Sequence, residues 1–248
     1  MTPRRTFLKQ ASLASAPFIL PAHIWAAKGD ESPNNRVNVA IIGPGKMGRG
    51  HAHKLIRNSR VQLTGFAEIA DVRTQHTKEL IEKHYSKNTP GDKWKGLTIT
   101  KDYLELLEDK SLDAVLIATP DHWHGEATIR AARAKKHVYC EKPISLTIQE
   151  GRAMADAVKE NKIVFQTGSQ QRTEYGGKFR RTVEMVRSGA IGELKKIRVC
   201  VGASPKPCDL PTEPTPEGID WDAWLGPAPM RGFNKILCPD DVHNHFPA

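Results

Sequence analysis

Three glycines between an apolar segment and a helical one constrain the fold of this chain most strongly. Arg36 to Ile42 (R-V-N-V-A-I-I) is rich in β-branched residues and predicts a buried strand, which Gly43 ends. The residues Gly43-Pro44-Gly45-Lys46-Met47-Gly48 have the spacing G-x-G-x-x-G and open a helical stretch that runs to about Asn58. A strand, a turn of this spacing and a helix are together typical of a dinucleotide-binding unit.

Each residue of this turn has a physical task in such a unit. Gly43 permits the tight turn, Gly45 lets the backbone approach a pyrophosphate, and Gly48 lets the helix pack close to the strand. Lys46 and Met47 begin the helix, where free N–H groups and a partial positive charge favour phosphate. We therefore expect these five residues to bind the pyrophosphate of a dinucleotide, and a purely structural turn is the alternative.

An acidic residue after the second predicted strand indicates how the ribose is held. Residues 61–67 predict that strand, and Glu68 follows it, twenty residues after Gly48. A carboxylate at this point accepts hydrogen bonds from ribose hydroxyls and repels a 2′-phosphate. Glu68 therefore favours NAD, whereas Arg73 nearby keeps NADP as the alternative cofactor.

Strands and helices alternate beyond this unit. The later predicted strands are 97–100, 112–118, 137–140 and 163–166, and the later predicted helices are 71–84, 101–108, 123–134 and 147–160. Alternation of this kind with apolar strands predicts a parallel sheet that helices cover on both faces. The expected fold class is α/β, with an N-terminal Rossmann-type, doubly wound parallel sheet in residues 35–162.

Unusual side chains follow two of the later strands. Thr119-Pro120-Asp121-His122-Trp123-His124 follows one strand, and Glu141-Lys142-Pro143 follows the next. In an open parallel sheet, ligands bind outside the carboxyl ends of the strands, so both clusters lie where a ligand is expected. Lys142 would then lie beside the nicotinamide, and we interpret it as a functional lysine rather than one half of a surface ion pair with Glu141.

Other classes of site are disfavoured. Asp121, His122 and His124 suggest a metal site. The two histidines are too close in sequence to share one helical face and no third ligand is evident, so no metal is expected. A capping or exposed loop role is preferred for His122. The net charge is +9, yet no stripe of basic and aromatic residues occurs, which argues against nucleic acid. No run of about 18 apolar residues predicts a membrane span.

The first 27 residues are interpreted as an export signal. Arg4-Arg5-Thr6-Phe7-Leu8-Lys9 is basic, a weakly apolar run follows from Ala11 to Leu20, and the small residues Ala26-Ala27 end the segment. The paired arginines resemble the twin-arginine type, although Pro3 stands where Ser or Thr is usual. An amphipathic helix is the alternative, and two later prolines argue against it. We expect a periplasmic or otherwise exported protein with no membrane association once the signal is removed.

Six motifs follow one another along the chain. They are V-A-I-I-G-P-G-K-M-G (39–48), D-A-V-L-I-A-T-P-D-H-W-H (113–124), H-V-Y-C-E-K-P (137–143), V-F-Q-T-G-S-Q-Q-R (164–172), S-G-A-I-G-E-L (188–194) and W-D-A-W-L-G-P-A-P (221–229). In this order and at this spacing they resemble the glucose–fructose oxidoreductase / inositol dehydrogenase / rhizopine catabolism (Gfo/Idh/MocA) family, in its exported type. The resemblance covers nearly all of residues 36–233.

The resemblance implies an NAD(P)-dependent oxidoreductase that transfers hydride between nicotinamide and a CH–OH group of a sugar or polyol. Lys142 is then the catalytic residue, because its ammonium faces the reacting carbon and stabilises a developing alkoxide. The further residues that the resemblance implies are Thr119, Pro120 and His124 lining the cofactor cleft, Glu141 on the nicotinamide side and Arg172 on a substrate hydroxyl. The partner is a small sugar or polyol, and a homo-oligomer is compatible with the family.

One departure from the family pattern bears on activity. Family members usually have a later glycine-rich stretch that ends in Asp and His, and this His is the expected general acid/base. No segment of this sequence resembles that stretch, and His243 and His245 are interpreted as residues just upstream of it. Residues 163–248 are therefore expected to be the start of an incomplete α+β substrate domain, as in a fragment, a truncated product or a chain that needs a partner. The alternatives to an oxidoreductase are an NAD-dependent glycosidase of the same family and a non-catalytic dinucleotide- or sugar-binding remnant.

Overall fold

The structure, a computed structural model, describes residues 36–87, 96–200, 202 and 209–239. The predicted export signal, His243 and His245 lie outside these residues. Within the described ranges no helix combines the length and the apolar character needed to cross a bilayer.

The described residues contain six strands and seven α-helices, and the predicted alternation of strands and helices is confirmed. The strands are β1 Val37–Ile42, β2 Val61–Ala67, β3 Thr98–Thr100, β4 Ala114–Ile117, β5 His137–Glu141 and β6 Phe165–Gly168. The helices are α1 Lys46–Leu55, α2 Asp71–Ser86, α3 Tyr103–Glu108, α4 His124–Arg133, α5 Ile148–Asn161, α6 Lys178–Arg187 and α7 Trp221–Leu225.

The six strands form one sheet in the order β3-β2-β1-β4-β5-β6, and every neighbouring pair is parallel. This confirms the predicted Rossmann-type sheet. The chain passes from β3 across the sheet to β4, so the strand order reverses between β1 and β4. A crevice opens outside the carboxyl ends of the strands at such a reversal, which is where α/β proteins bind their ligands.

Alternating side chains along the strands form a core on each face of the sheet. Val39 and Ile41 face one side, where residues of α1 and α2 cover them. Ala40 and Ile42 face the other side, against residues of α3 and α4. Side chains of a strand alternate between faces, so one short apolar run supplies both cores, and each fully buried Ile contributes roughly 1.5–3 kcal/mol.

Local sequence signals determine where the helices begin. The Thr147 hydroxyl accepts the backbone N–H of Glu150, and the Glu150 carboxylate accepts that of Thr147, so a capping box starts α5. Asp102 caps α3 through a single hydrogen bond, in which its carboxylate accepts the N–H of Leu104.

The chain after β6 differs from the first part. Helix α6 is exposed, and Ser188 follows it as a cap, but residues 193–200 form no strand among the described residues, although the resemblance implies one after this turn. A strand needs a hydrogen-bonded neighbour, and each of residues 193–200 is exposed. Residues 209–239 instead pack on the strand ends, through a buried cluster that includes Trp221, Trp224 and Phe233 and contacts Ile69.

Candidate active site

A cleft of about 530 Å³ lies at the carboxyl ends of the strands. Its walls come from the segments after β1, β2, β3, β4 and β5 and from residues 220–239. Ten of the predicted site residues line it: Gly43, Gly45, Lys46, Met47, Glu68, Thr119, Pro120, His124, Glu141 and Lys142. Two motif clusters far apart in sequence therefore meet in one cavity, as their positions after neighbouring strands predict.

The three glycines of the first turn have different surroundings. Gly43 has φ +77°, and a Cβ there would lie 2.8 Å from Thr119 Cγ2. Gly48 lies beneath the turn, where a Cβ would be 2.6 Å from the carbonyl oxygen of Gly43. Gly45 faces the cleft, and a Cβ there would meet no atom within 4 Å. The surroundings fit a tight turn, a close helix and an open backbone surface for a ligand.

The start of α1 is suited to an anion. Gly45 caps the helix without a side-chain hydrogen bond, and the first turn contains no acidic residue. The first N–H groups of a helix have no partner within it, and the helix dipole places partial positive charge there. With Gly45 open to the cleft, this end of α1 fits the pyrophosphate of a dinucleotide.

Glu68 is held rigidly just beyond β2. Its side chain is buried, and Oε1 accepts the N–H groups of Ile69 and Ala70, each at 3.0 Å. Arg73 Nη1 lies 3.9 Å from the same oxygen. Burial raises the pKa of Glu68 above its ordinary value, and Arg73 and the two N–H groups oppose this only in part. The carboxylate therefore has a fixed position in the cleft wall.

Glu141 lies at the end of β5 and joins three segments. Its Oε1 is 2.6 Å from His51 Nε2 and also accepts the side-chain amide of Gln170, and its Oε2 accepts the N–H of Lys142 at 3.4 Å. Burial acts to raise the pKa of Glu141, but the hydrogen bonds from His51 and its other partners outweigh it and lower the pKa below its ordinary value. Glu141 thus fixes the backbone of the exposed Lys142 while that side chain lines the cleft.

His124 connects the two loops that carry the motifs. Its imidazole is buried, with Nδ1 2.5 Å from the carbonyl oxygen of Pro143 and Nε2 3.0 Å from that of Thr119. Main-chain carbonyls therefore lie against both ring nitrogens. This imidazole positions the loops after β4 and β5, in addition to lining the cleft.

Residues 37–169 match the model of a family described as an oxidoreductase family with an NAD-binding Rossmann fold, Gfo/Idh/MocA. The chain belongs to the Gfo/Idh/MocA family. The match spans the sheet and all five strand-end segments that line the cleft.

Two curated proteins are similar to this chain over about two thirds of its length. Myo-inositol 2-dehydrogenase of Thermotoga maritima is 31% identical over 165 residues, which are 66% of this chain and 44% of the relative. Levoglucosan dehydrogenase of Pseudarthrobacter phenanthrenivorans is 32% identical over 168 residues, which are 65% and 40% of the two chains. The crystal structure of myo-inositol 2-dehydrogenase from Lactobacillus plantarum is 28% identical, with a TM-score of 0.52 over 64% of this chain and 43% of that one.

This Gfo/Idh/MocA chain spans about half the length of the curated relatives that it matches. Arg172, predicted to contact substrate, belongs to a 3-10 turn after β6, Gln170–Arg172, but its side chain lies outside the described part of the structure. Its role remains a prediction.

His122 differs from the sequence interpretation of a capping or exposed loop residue. It is half-buried, Nε2 lies 2.7 Å from the carbonyl oxygen of Trp224, and the two rings are 4.9 Å apart. Burial lowers the pKa of His122. The imidazole therefore helps to hold a segment that follows it by about a hundred residues.

Three site residues were not predicted from the sequence. His51 and Gln170 hold Glu141, and Trp123 holds the carbonyl groups of residues 223 and 224. His51 lies one turn after Gly48 on α1, yet only the fold brings it to the end of β5.

Proposed function

We propose that this chain binds a nicotinamide dinucleotide and takes part in hydride transfer between nicotinamide and a CH–OH group of a sugar or polyol. One observation carries the proposal: the Gly45 backbone faces open space at the start of α1, in the same cleft as Glu68 and Lys142. Glu68 follows β2 and Lys142 follows β5, on either side of β1 in the sheet. This order fits a dinucleotide lying across the strand ends.

The residues of the chain have separate tasks in this proposal. The turn at Gly45 and the first N–H groups of α1 bind the pyrophosphate, and Glu68 accepts hydrogen bonds from the adenosine ribose. The nicotinamide supplies the hydride acceptor or donor when bound. The Lys142 ammonium donates a hydrogen bond to the substrate oxygen and stabilises its alkoxide character. Glu141, held by His51, fixes the backbone from which that ammonium projects.

We propose NAD rather than NADP as the cofactor. A 2′-phosphate would place negative charge beside the buried Glu68. Arg73, which a 2′-phosphate would need, donates from Nη2 to the carbonyl oxygen of Pro239. In support, a curated relative from Bacillus subtilis, 29% identical over 161 residues, is named scyllo-inositol 2-dehydrogenase (NAD(+)).

The sugar or polyol class rests on the relatives. Those described above are named for myo-inositol and levoglucosan, both rich in secondary hydroxyl groups. A secondary CH–OH group suits the proposed chemistry. Its carbon gives a hydride to the nicotinamide and its hydroxyl proton passes to solvent as the C=O bond forms, while the Lys142 ammonium stabilises the alkoxide.

Lys142→Met in the full chain tests the catalytic proposal, with the exposed Lys110→Met as matched control. We expect the Lys142 variant to bind NADH within about threefold of the wild type and to lose at least ~100-fold in kcat with a polyol substrate. The control variant should keep both. An unchanged kcat in the Lys142 variant would refute this role, and NADH binding without any turnover by the wild type would favour the non-catalytic alternative.

A second candidate function is NAD-dependent glycoside cleavage. One curated relative, from Shewanella sp. strain MR-4, is named glycosyl hydrolase family 109 protein 1 and is 28% identical over 159 residues. Release of sugar from an aryl glycoside without net formation of NADH would favour this function. Net NADH formation from a free polyol would favour the dehydrogenase.

We also propose that the protein is exported through the twin-arginine route. The basic start at Arg4-Arg5, the apolar run and the small residues before Lys28 support it. Residues 1–27 fused to a folded reporter should direct it to the periplasm, and the Arg4→Lys, Arg5→Lys double variant should retain it in the cytoplasm. Equal export of both fusions would contradict the proposal.

A further inference from the structure

Residues 209–239, called the capping segment below, are attached to the loop that carries Glu68. Ile219 forms an antiparallel bridge with Ala70, and the N–H of Asp71 donates to the carbonyl oxygen of Gly218 at 2.9 Å. These contacts begin two residues after Glu68. The capping segment is thus fixed beside the carboxylate assigned to the adenosine ribose.

A second attachment lies at the loop after β4. The indole Nε1 of Trp123 donates to the carbonyl oxygens of Ala223 at 3.1 Å and Trp224 at 3.0 Å. Gly226 packs against the same ring, and a Cβ there would lie 2.0 Å from Trp123 Cζ2. Only glycine permits this close approach, so the capping segment is fitted to the indole.

The third attachment is at Arg73. Its Nη2 donates to the carbonyl oxygen of Pro239, and its Nη1 lies 4.0 Å from Cys238 Sγ and 3.9 Å from Glu68 Oε1. One guanidinium therefore connects the end of the capping segment to Glu68. Leu237, Cys238 and Pro239 line the cleft at this point.

The capping segment has an internal core that keeps it in shape. The rings of Trp221 and Trp224 stack at 4.6 Å, and Phe233 meets Trp221 edge-on at 5.2 Å. Trp221 Nε1 donates to the carbonyl oxygen of Arg231 at 2.8 Å, and the N–H of Glu213 donates to that of Phe233. A buried aromatic cluster of this kind forms a stable surface rather than a loose connection.

We propose that the capping segment is the outer wall of the adenosine half of the dinucleotide site and slows release of the bound cofactor. This inference rests on the proposed function. Glu68 follows β2, and the lining residues Lys101, Asp102 and Tyr103 follow β3. Both strands lie on the side of β1 away from β4, where the adenosine half of the dinucleotide is expected. Leu237 and Pro239 offer apolar surface against which an adenosine can pack.

Stopped-flow displacement of NADH from the full chain tests whether the capping segment slows release of the bound dinucleotide. Trp123→Phe keeps the aromatic ring but removes the donor to both carbonyls, and Gly226→Ala places a methyl group against the indole. Gly202→Ala, at an open position where a Cβ meets nothing within 4 Å, is the matched control. We expect NADH to dissociate at least fivefold faster from both variants without slower association, and at the wild-type rate from the control. An unchanged rate of NADH dissociation from folded variants that bind NADH would overturn the proposal that the capping segment forms the wall.

Amide hydrogen exchange of the wild-type chain gives a second readout that needs no variant. Saturating NADH should slow exchange in residues 209–239 and leave exposed α6 unchanged. Equal exchange in the capping segment with and without bound NADH would overturn the proposal even if both variants unfold. Failure of the wild type to bind NADH would instead overturn the dinucleotide function itself, so the two failures are distinguishable.

Discussion

Replacing Gly45 by alanine should separate dinucleotide binding from folding. Gly45 has φ −62° and ψ −160°, angles that alanine adopts, and a Cβ there meets no atom within 4 Å. The free energy of unfolding should therefore stay the same or rise by up to ~1 kcal/mol, because alanine restricts the unfolded chain. The added methyl group nevertheless occupies the space through which a pyrophosphate approaches the backbone.

The loss of affinity follows from contact distances. An N–H···O hydrogen bond needs about 2.9 Å between heavy atoms, whereas a methyl carbon keeps neighbouring atoms at about 3.5–4.0 Å. A phosphate oxygen displaced by this difference loses at least one charge-assisted hydrogen bond, worth about 1.5–3 kcal/mol. Since 1.4 kcal/mol is a factor of ten, the Kd for NADH should rise roughly 10- to 150-fold.

Calorimetric titration with NADH and urea unfolding, on wild type and Gly45→Ala, measure the two effects. Gly50→Ala is the matched control, because a Cβ at Gly50, on α1, also meets nothing within 4 Å. Gly48→Ala, unlike Gly45→Ala, should lower the free energy of unfolding by about 1–3 kcal/mol, because its Cβ would lie 2.6 Å from the carbonyl oxygen of Gly43. Wild-type affinity in Gly45→Ala, or an equal loss in Gly50→Ala, would refute the reasoning.

Three further predictions concern buried groups. Burial raises the pKa of Glu68 in the folded protein. The contribution of this carboxyl group to the free energy of unfolding is therefore present below its ordinary pKa and is lost as the pH rises through the raised pKa. Glu68→Gln should resist urea better than wild type at about pH 8, with no difference near pH 4. His124→Leu should lower the free energy of unfolding by about 1–3 kcal/mol, because the contacts between the buried imidazole and the carbonyl oxygens of Thr119 and Pro143 are lost. The exposed His53→Leu should change it by no more than ~0.5 kcal/mol. Burial raises the pKa of the Cys140 thiol to about 12, so a thiol reagent at pH 8 should label exposed Cys200 rapidly and Cys140 only on unfolding.

Each of these results has a clear opposite. A Glu68→Gln variant that is less stable than wild type at pH 8 would mean that the carboxylate is stabilised in place rather than destabilised by burial. Equal stability losses in the two histidine variants, in urea unfolding, would contradict the bridging role of His124. Rapid labelling of Cys140 in folded protein, detected by mass spectrometry, would contradict its burial.

Local pattern was sufficient to predict the sheet and the first turn. Strand β2 has the predicted bounds, and β1 begins one residue later than predicted. These segments are short apolar runs ended by glycine or an acidic residue, and each strand supplies side chains to both cores. Helix limits were less accurate, as α1 ends at Leu55 rather than near Asn58, because helix ends depend on capping and tertiary contacts.

Contacts between distant residues were beyond the reach of the sequence pattern. His51 meets Glu141 across 90 positions, and Trp123 meets Trp224 across 101. A histidine or a tryptophan in one motif carries no local signal of its partner, since tertiary packing alone brings the two together. For the same reason, the position of the buried Trp224 beside the cleft follows from the tertiary structure alone.

The central claim is that the cleft binds a nicotinamide dinucleotide and prefers the form without a 2′-phosphate. Calorimetric titration of the chain with NADH and then with NADPH tests it most directly. The account predicts one NADH site per chain, with NADPH binding at least ~10-fold more weakly because its phosphate meets Glu68. A folded sample that binds neither nucleotide would contradict the claim, and tighter binding of NADPH would contradict the role given to Glu68.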